Sequence, residues 1–267
     1  MPGVLLEDLL RPRSGPWVIA HRGASRHAPE NTMPAFEAAW ASGCGWIEAD
    51  VQPTRDNVPV VLHDEELSRT TNGSGPIRHL SSLDVLALDA GSWFTTGSTR
   101  AYSRTPVPLL ADVVQTLGPG RALLLEIKND HTRDQVLAEM AVVKASGWDD
   151  RVFYESFHTE SLRHVQAIEP GRPVGLLVEE LHDDPIAACA ELGAIAYNPR
   201  HTLLRDRPEL VGQLHDAGIA VMAWTADEPD DWTFLTELGV DGIITNTPGD
   251  LISFQRTAHG RLSARSG

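Results

Sequence analysis

Eight short apolar runs recur along this chain at the spacing of a strand-and-helix repeat, and that rhythm restricts the fold more than any other feature of the sequence. They cover residues 17–20, 46–50, 122–127, 152–156, 174–178, 194–197, 220–225 and 242–245. Runs of this length bounded by turn residues read as buried strands. Between them lie segments of helical character at 33–42, 133–146, 159–168, 208–217 and 229–238, several entered by Thr, Asp or Pro and left through Gly. Alternation of this kind predicts a parallel α/β sheet, and eight repeats predict its closure into a TIM-like (β/α)8 barrel. The 267 residues suit one such domain, and a 42% hydrophobic content supplies its core.

A ninth apolar run, 58–63, follows the second strand too closely for a crossover helix and predicts a hairpin. With the turn at 55–58, pairing backwards sets His63 opposite Asp50. Residues 65–108 then break the rhythm with Gly, Ser, Thr and Pro, which predicts a small insertion above the barrel. No short repeat occurs, and the basic, small and polar stretch 256–267 reads as a frayed tail.

The unusual polar residues fall at strand ends. The first strand runs into His21-Arg22-Gly23, the second carries Glu48 and Asp50, and the third carries Glu126 and Lys128. Residues two apart on a strand share a face, so each pair points the same way, toward the barrel mouth. Three carboxylates converging there would repel one another unless a cation sat among them or Lys128, Arg22 and other basic residues paired with them. With oxygen donors and no cysteine, the hard ions Mg²⁺ or Ca²⁺ are favoured. His21 and His63 are suited to proton transfer near neutral pH, one taking a proton and the other giving one. Arg22 offers a planar fork for phosphate oxygens and Lys128 a point charge, which predicts a phosphate ester as ligand. Gly23 would either admit a close backbone approach or simply start a turn, and Trp224 would either cover an alcohol or sugar moiety or belong to the core.

A formal charge of −15 argues against a nucleic-acid or anionic-membrane surface, and obliges a phosphate site to supply its own positive charge. Cys44 and Cys189 are too few for a disulfide framework. No segment reaches the ~18 to 20 apolar residues of a membrane span or shows a signal-peptide pattern, so the expectation is a cytoplasmic protein without stable membrane insertion. Nothing in the sequence bears on oligomeric state.

Three stretches, HRGASRHAPENT at 21–32, IEADVQPTRD at 47–56 and PVVLHDEELSRTTNGSG at 59–75, resemble the glycerophosphodiester phosphodiesterase family. LLLEIK at 123–128, ESF at 155–157, AWT at 223–225 and DGIITNTP at 241–248 follow in that family's order, so the resemblance spans about residues 17–250. It implies that Glu48, Asp50 and Glu126 hold a divalent metal, that His21 and His63 are acid and base, that Arg22 and Lys128 contact phosphate, and that the substrate is a small-molecule glycerophosphodiester. Two departures stand out: Asn246 where the family pattern usually has Asp, and Ala226-Asp227 where Val-Asn is common. Lying outside the metal and proton-transfer groups, they are expected to affect substrate fit.

Other readings need different features. A related barrel phosphodiesterase acting on lysophospholipids or phosphoinositol esters would need an apolar groove for an acyl chain. A non-catalytic module binding phosphorylated polyols would not need both histidines. A barrel amidohydrolase would open with His-x-His, where this chain has His21-Arg22-Gly23.

Overall fold

A computed structural model describes residues 15–95 and 102–263. Eight parallel strands form a closed ring: β1 (Trp17–Ala20), β2 (Trp46–Pro53), β4 (Ala122–Ile127), β5 (Val152–Ser156), β6 (Val174–Val178), β7 (Ala196–Pro199), β8 (Ala220–Ala223) and β9 (Gly242–Thr245). The ring is sealed by β1, which pairs with β2 on one side and with β9 on the other. The ninth strand, β3 (Pro59–Val61), lies outside it, antiparallel on the upper part of β2. This is a TIM barrel with one strand added.

Helices cover the ring: α1 (Met33–Ala41), α3 (Leu110–Val114), α4 (Arg133–Ala145), α5 (Thr159–Ile168), α6 (Pro185–Leu192), α7 (Leu203–Asp206), α8 (Glu209–Asp216), α9 (Pro229–Leu238) and α10 (Pro248–Ser263), with α2 (Ser82–Leu86) in the insertion. Their starts follow local chemistry. Thr132 caps α4 in a reciprocal capping box with Gln135, and Asp184 caps α6 through the Ala187 N–H. Among the described residues no helix is long and apolar enough to cross a membrane.

The strand alternation divides the core in two. One set of side chains, including Val18, Ile47, Leu123, Leu125 and Tyr154, faces outward beneath the helices. The other, Ile19, Trp46, Leu124, Phe153, Met222 and Ile244 among them, fills the inside of the ring. Continuing the inward face by twos leads from Ile19 to His21, from Trp46 to Glu48 and Asp50, from Leu124 to Glu126 and Lys128, from Phe153 to Glu155, and from Ile244 to Asn246. The lower part of the barrel is thus apolar, and its mouth is lined by ionisable and polar groups.

Three expectations are revised and one gains detail. The hairpin closes one residue earlier than expected: Thr54 faces Val58 across a three-residue loop in which Asn57 takes φ 58°, and Leu62, not His63, donates to the Asp50 carbonyl. The sixth ring strand, β7, begins later than its apolar run and extends through Asn198 and Pro199, because buried Asn198 finds partners in Glu155 and the Met222 N–H. The expected insertion 65–108, of which 96–101 lie outside the described residues, has a small core of its own: Leu67, Ile77, Val85, Ala90 and Val107 gather over Val60 and Leu62 of the hairpin. The expected frayed tail is helical to Ser263, anchored where Phe254 meets Trp232 at 5.5 Å and Gln255 donates to the Pro16 carbonyl; residues 264–267 lie outside the described chain.

Candidate active site

At the carboxyl end of the strands is a cavity of about 540 Å³, lined by His21, Arg22, Glu48, His63, Glu126 and Lys128 on one side and by Phe157, Leu177, Glu179 and Trp224 on the other. Asp50 is fully buried beneath it. One carboxylate oxygen each from Glu48, Asp50 and Glu126 lies within 4.8 Å of the others. All eight residues picked from the sequence therefore meet at this mouth, although they come from β1, β2, β4, the loop after β3 and the end of β8.

The carboxylates are incompletely satisfied by protein. Glu48 Oε2 accepts the Arg22 N–H at 2.7 Å, while its Oε1 is buried without a hydrogen-bond partner. Asp50 Oδ2 accepts from Asn31 at 2.6 Å, and its Oδ1, 3.5 Å from Lys128 Nζ, has no hydrogen bond. Glu126 takes Lys128 Nζ at 2.7 Å. Burial, followed by the charge of Asp50 and, for Glu48, that of Glu126, pushes the Glu48 and Glu126 carboxyls well above the usual range. Burial works in the same sense on Asp50, but Arg22 and Lys128 outweigh it and hold that carboxyl below its ordinary value. Buried oxygens pointing at one another with lone pairs unused are the donor set of a hard divalent cation, and these residues fit one.

The two histidines have unequal surroundings. His21 is held at the end of β1 with its Nδ1 2.8 Å from Asn246 Oδ1, and burial, then the Arg22 charge, lowers its pKa to about 4. His63 sits on the loop after β3 with its Nδ1 2.6 Å from Asp64 Oδ1. Burial lowers its pKa too, against the pull of Asp50 and Asp64. Asp64 is held by Arg69 from the insertion, Arg69 also grips Glu30 at 2.7 and 2.8 Å, and Glu30 accepts from Arg22 at 2.8 Å. A single ionic chain thus joins His63 to Arg22. The expectation that Asn246 stands clear of the proton-transfer groups is corrected by its contact with His21.

Gly23 takes the turn that is one of its two readings, and packing places a further demand on it. It turns at φ +82°, and a Cβ there would lie 2.6 Å from the Ala35 carbonyl carbon. Close packing against α1 requires the glycine. Trp224 is braced by its indole N–H donating to the Asn198 carbonyl at 2.8 Å and meets Phe157 edge-on at 5.4 Å, forming an aromatic wall.

Sequence reading missed Glu155, Asn31 and Glu30. Glu155 is buried at the mouth, accepts from Asn198 at 2.7 Å, and is pushed up to about 8, chiefly by burial. A carboxylate two residues beyond Phe153 on an inward strand face is the signal that could have found it. Asn31 and Glu30 lie in a loop, where no periodicity points to their contacts.

The profile of the Glycerophosphoryl diester phosphodiesterase family matches residues 21–250. A glycerophosphodiester phosphodiesterase of Caldanaerobacter subterraneus subsp. tengcongensis is 36% identical over 242 residues, covering 90% of this chain and 97% of the relative. Among solved structures, an Oleispira antarctica phosphodiesterase in complex with the product sn-glycerol-3-phosphate superposes with a TM-score of 0.83 at 28% identity, covering 90% of this chain and 96% of that one. A glycerophosphodiester phosphodiesterase from Agrobacterium tumefaciens gives 0.78 at 31% identity, with coverage of 90% and 99%. With the profile spanning the first site residue, His21, through the last, Asn246, the chain belongs to the glycerophosphoryl diester phosphodiesterase family.

Proposed function

We propose that this phosphodiesterase-family enzyme hydrolyses glycerophosphodiesters to glycerol 3-phosphate and an alcohol at the mouth of its barrel, within one barrel domain that includes the insertion. The observation that carries the reading is the pair of unlike imidazoles facing one cavity with Arg22, Lys128 and a nest of under-satisfied carboxylates. The glycerol phosphate held by the Oleispira antarctica neighbour supports the same product here.

Glu48, Asp50 and Glu126 would hold a divalent cation, Mg²⁺ or Ca²⁺ by their all-oxygen donor set, and such an ion supplies charge neutralisation and Lewis acidity to a bound phosphodiester. Arg22 and Lys128 supply the remaining positive charge where charge develops on the phosphoryl oxygens. His21, kept neutral by burial, accepts the proton of the attacking hydroxyl. His63, whose Nδ1 is backed by the Asp64 carboxylate, delivers a proton to the leaving alkoxide. The attacking hydroxyl is the glycerol 2-hydroxyl, closing a cyclic phosphate that water then opens, or a water directly; oxygen-isotope labelling of the product separates the two. Trp224 and Phe157 cover the departing alcohol. Two buried, free thiols accord with a cytoplasmic setting.

A coupled assay for glycerol 3-phosphate, run on several glycerophosphodiesters with EDTA and then with added Mg²⁺ or Ca²⁺, tests this. Release that depends on the cation is expected. His21→Ala and His63→Ala should each lower turnover by about 10² to 10⁴ with little change in melting temperature. No release from any diester by folded, cation-saturated protein would overturn the proposal.

A further inference from the structure

The hydrogen bonds behind His21 lead to a carboxylate one residue further back. We propose that Asp227 is a positioning residue: acting through Asn246, it dictates which ring nitrogen of His21 carries the proton. The inference rests on the reading of His21 as proton acceptor.

Asp227 lies just after β8, and Asn246 just after β9. The Asp227 carboxylate takes three donors: Thr245 Oγ1 at 2.9 Å, the Asn246 backbone N–H at 2.7 Å, and Asn246 Nδ2 at 2.6 Å. A carboxylate only accepts, so the end of the Asn246 amide facing it must be the nitrogen. Turned over, the amide would set oxygen against oxygen. With its nitrogen committed, Asn246 presents its oxygen to His21 Nδ1 at 2.8 Å and to Ser25 Oγ at 2.7 Å. Ser25 shares its single hydrogen between that oxygen and the His21 carbonyl, 2.8 Å away, bracing the amide from the other side.

An amide oxygen cannot donate, so His21 Nδ1 must carry the hydrogen. The lone pair is then on Nε2, the ring nitrogen left to the cavity that His21 lines. Two features of this relay matter for proton acceptance. The tautomer is selected by the amide, and the charge of Asp227 is kept out of contact with the ring. At His63 the carboxylate of Asp64 touches the ring directly. The two imidazoles are thus built for opposite directions of proton flow.

The test exchanges the two groups. In Asp227→Asn the fixed acceptor is lost, the Asn246 amide can reverse and offer its nitrogen to His21, and the ring proton moves toward Nε2. We expect kcat to fall about 10- to 100-fold with KM nearly unchanged, as for other residues that orient a reacting ligand. Nitrogen-15 NMR of the imidazole, recorded on folded protein without substrate, should show Nδ1–H at His21 in the parent and a shift toward Nε2–H in Asp227→Asn. The double variant Asp227→Asn/Asn246→Asp restores an acceptor next to His21 and a donor behind it, and should recover Nδ1–H and most of the lost turnover. A parent-like tautomer in folded Asp227→Asn, or a folded double variant whose His21 is not Nδ1-protonated, would overturn the inference. Because the tautomer is read without turnover, failure to cleave any glycerophosphodiester would remove the functional proposal and leave this measurement decisive on its own terms.

Discussion

A methyl group at position 23 would strike the helix that follows it. Gly23 combines a left-handed φ of +82° with an approach to Ala35 that leaves no room for a Cβ, so Gly23→Ala adds backbone strain to overpacking. We expect a loss of about 2–3 kcal/mol, read from the urea unfolding midpoint, and a loss under about 0.5 kcal/mol would contradict the packing argument. At this scale the sequence was legible where chemistry follows strand parity. Glu48 and Asp50, or Glu126 and Lys128, are charged residues set two apart in apolar runs, and that arrangement can be read directly. Asn246 was not readable in the same way: its partner His21 is 225 positions away, and nothing local distinguishes an amide that fits a substrate from one that orients a ring. Glu30 and Asn31 were hidden for the same reason.

Among elements, β3 and the insertion bring His63 to the cavity and hold it there. Gln52 of β2 donates to the carbonyls of both Leu62 and His63, at 3.0 and 2.9 Å, fixing the backbone on which the imidazole stands. Arg69 then fixes the side chain through Asp64 while reaching Glu30 on the loop after β1. Arg69→Ala releases both acids, so turnover should drop about tenfold or more, and Arg69→Lys should restore it only in part because a single ammonium cannot span two carboxylates as the guanidinium fork does. Parent-like turnover in Arg69→Ala would show that His63 is adequately held by its backbone alone. The strands were legible because buried parallel strands are apolar from end to end. The hairpin register was missed by one residue because a three-residue loop with Asn57 at positive φ and a two-residue loop read almost alike. Polar Asn198 looked like a strand end since its partner Glu155 lies on a strand two places away in the ring.

Over the molecule as a whole, the barrel concentrates uncompensated acidity at one end, which ties stability to pH and to cation. Glu155 is pushed up to about 8 by burial, and Glu48 and Glu126 are raised as well. In the unfolded chain these groups titrate near ~4.3. Between those values the folded, cation-free protein holds protons on these carboxyls that the unfolded chain has released, so their contribution to stability falls as pH rises through the window. Each such group contributes up to about 1.4 kcal/mol per pH unit. The lowered His21 and His63 act in the opposite sense below about pH 6.5. Melting temperature in EDTA should therefore decline from about pH 6.5 to about pH 8, less steeply in Glu155→Gln, and added Mg²⁺ or Ca²⁺ should raise it most at the alkaline end. A flat profile in EDTA would show that these carboxyls are ionised without penalty.

The seam between β1 and β9 sets an order of assembly. A nascent polypeptide emerging from the ribosome has Glu48, Asp50 and Glu126 in hand before half of it is made, yet β1 has no neighbour on its other edge until residues 242–245 appear. The residues of the acidic nest thus all come from the first half of the chain, whereas the hydrogen bonds that orient His21 wait for the final strand. A translation product that stops short of that strand would leave His21 without its Asn246 partner, so the complete site arrives with the last turn of the ring.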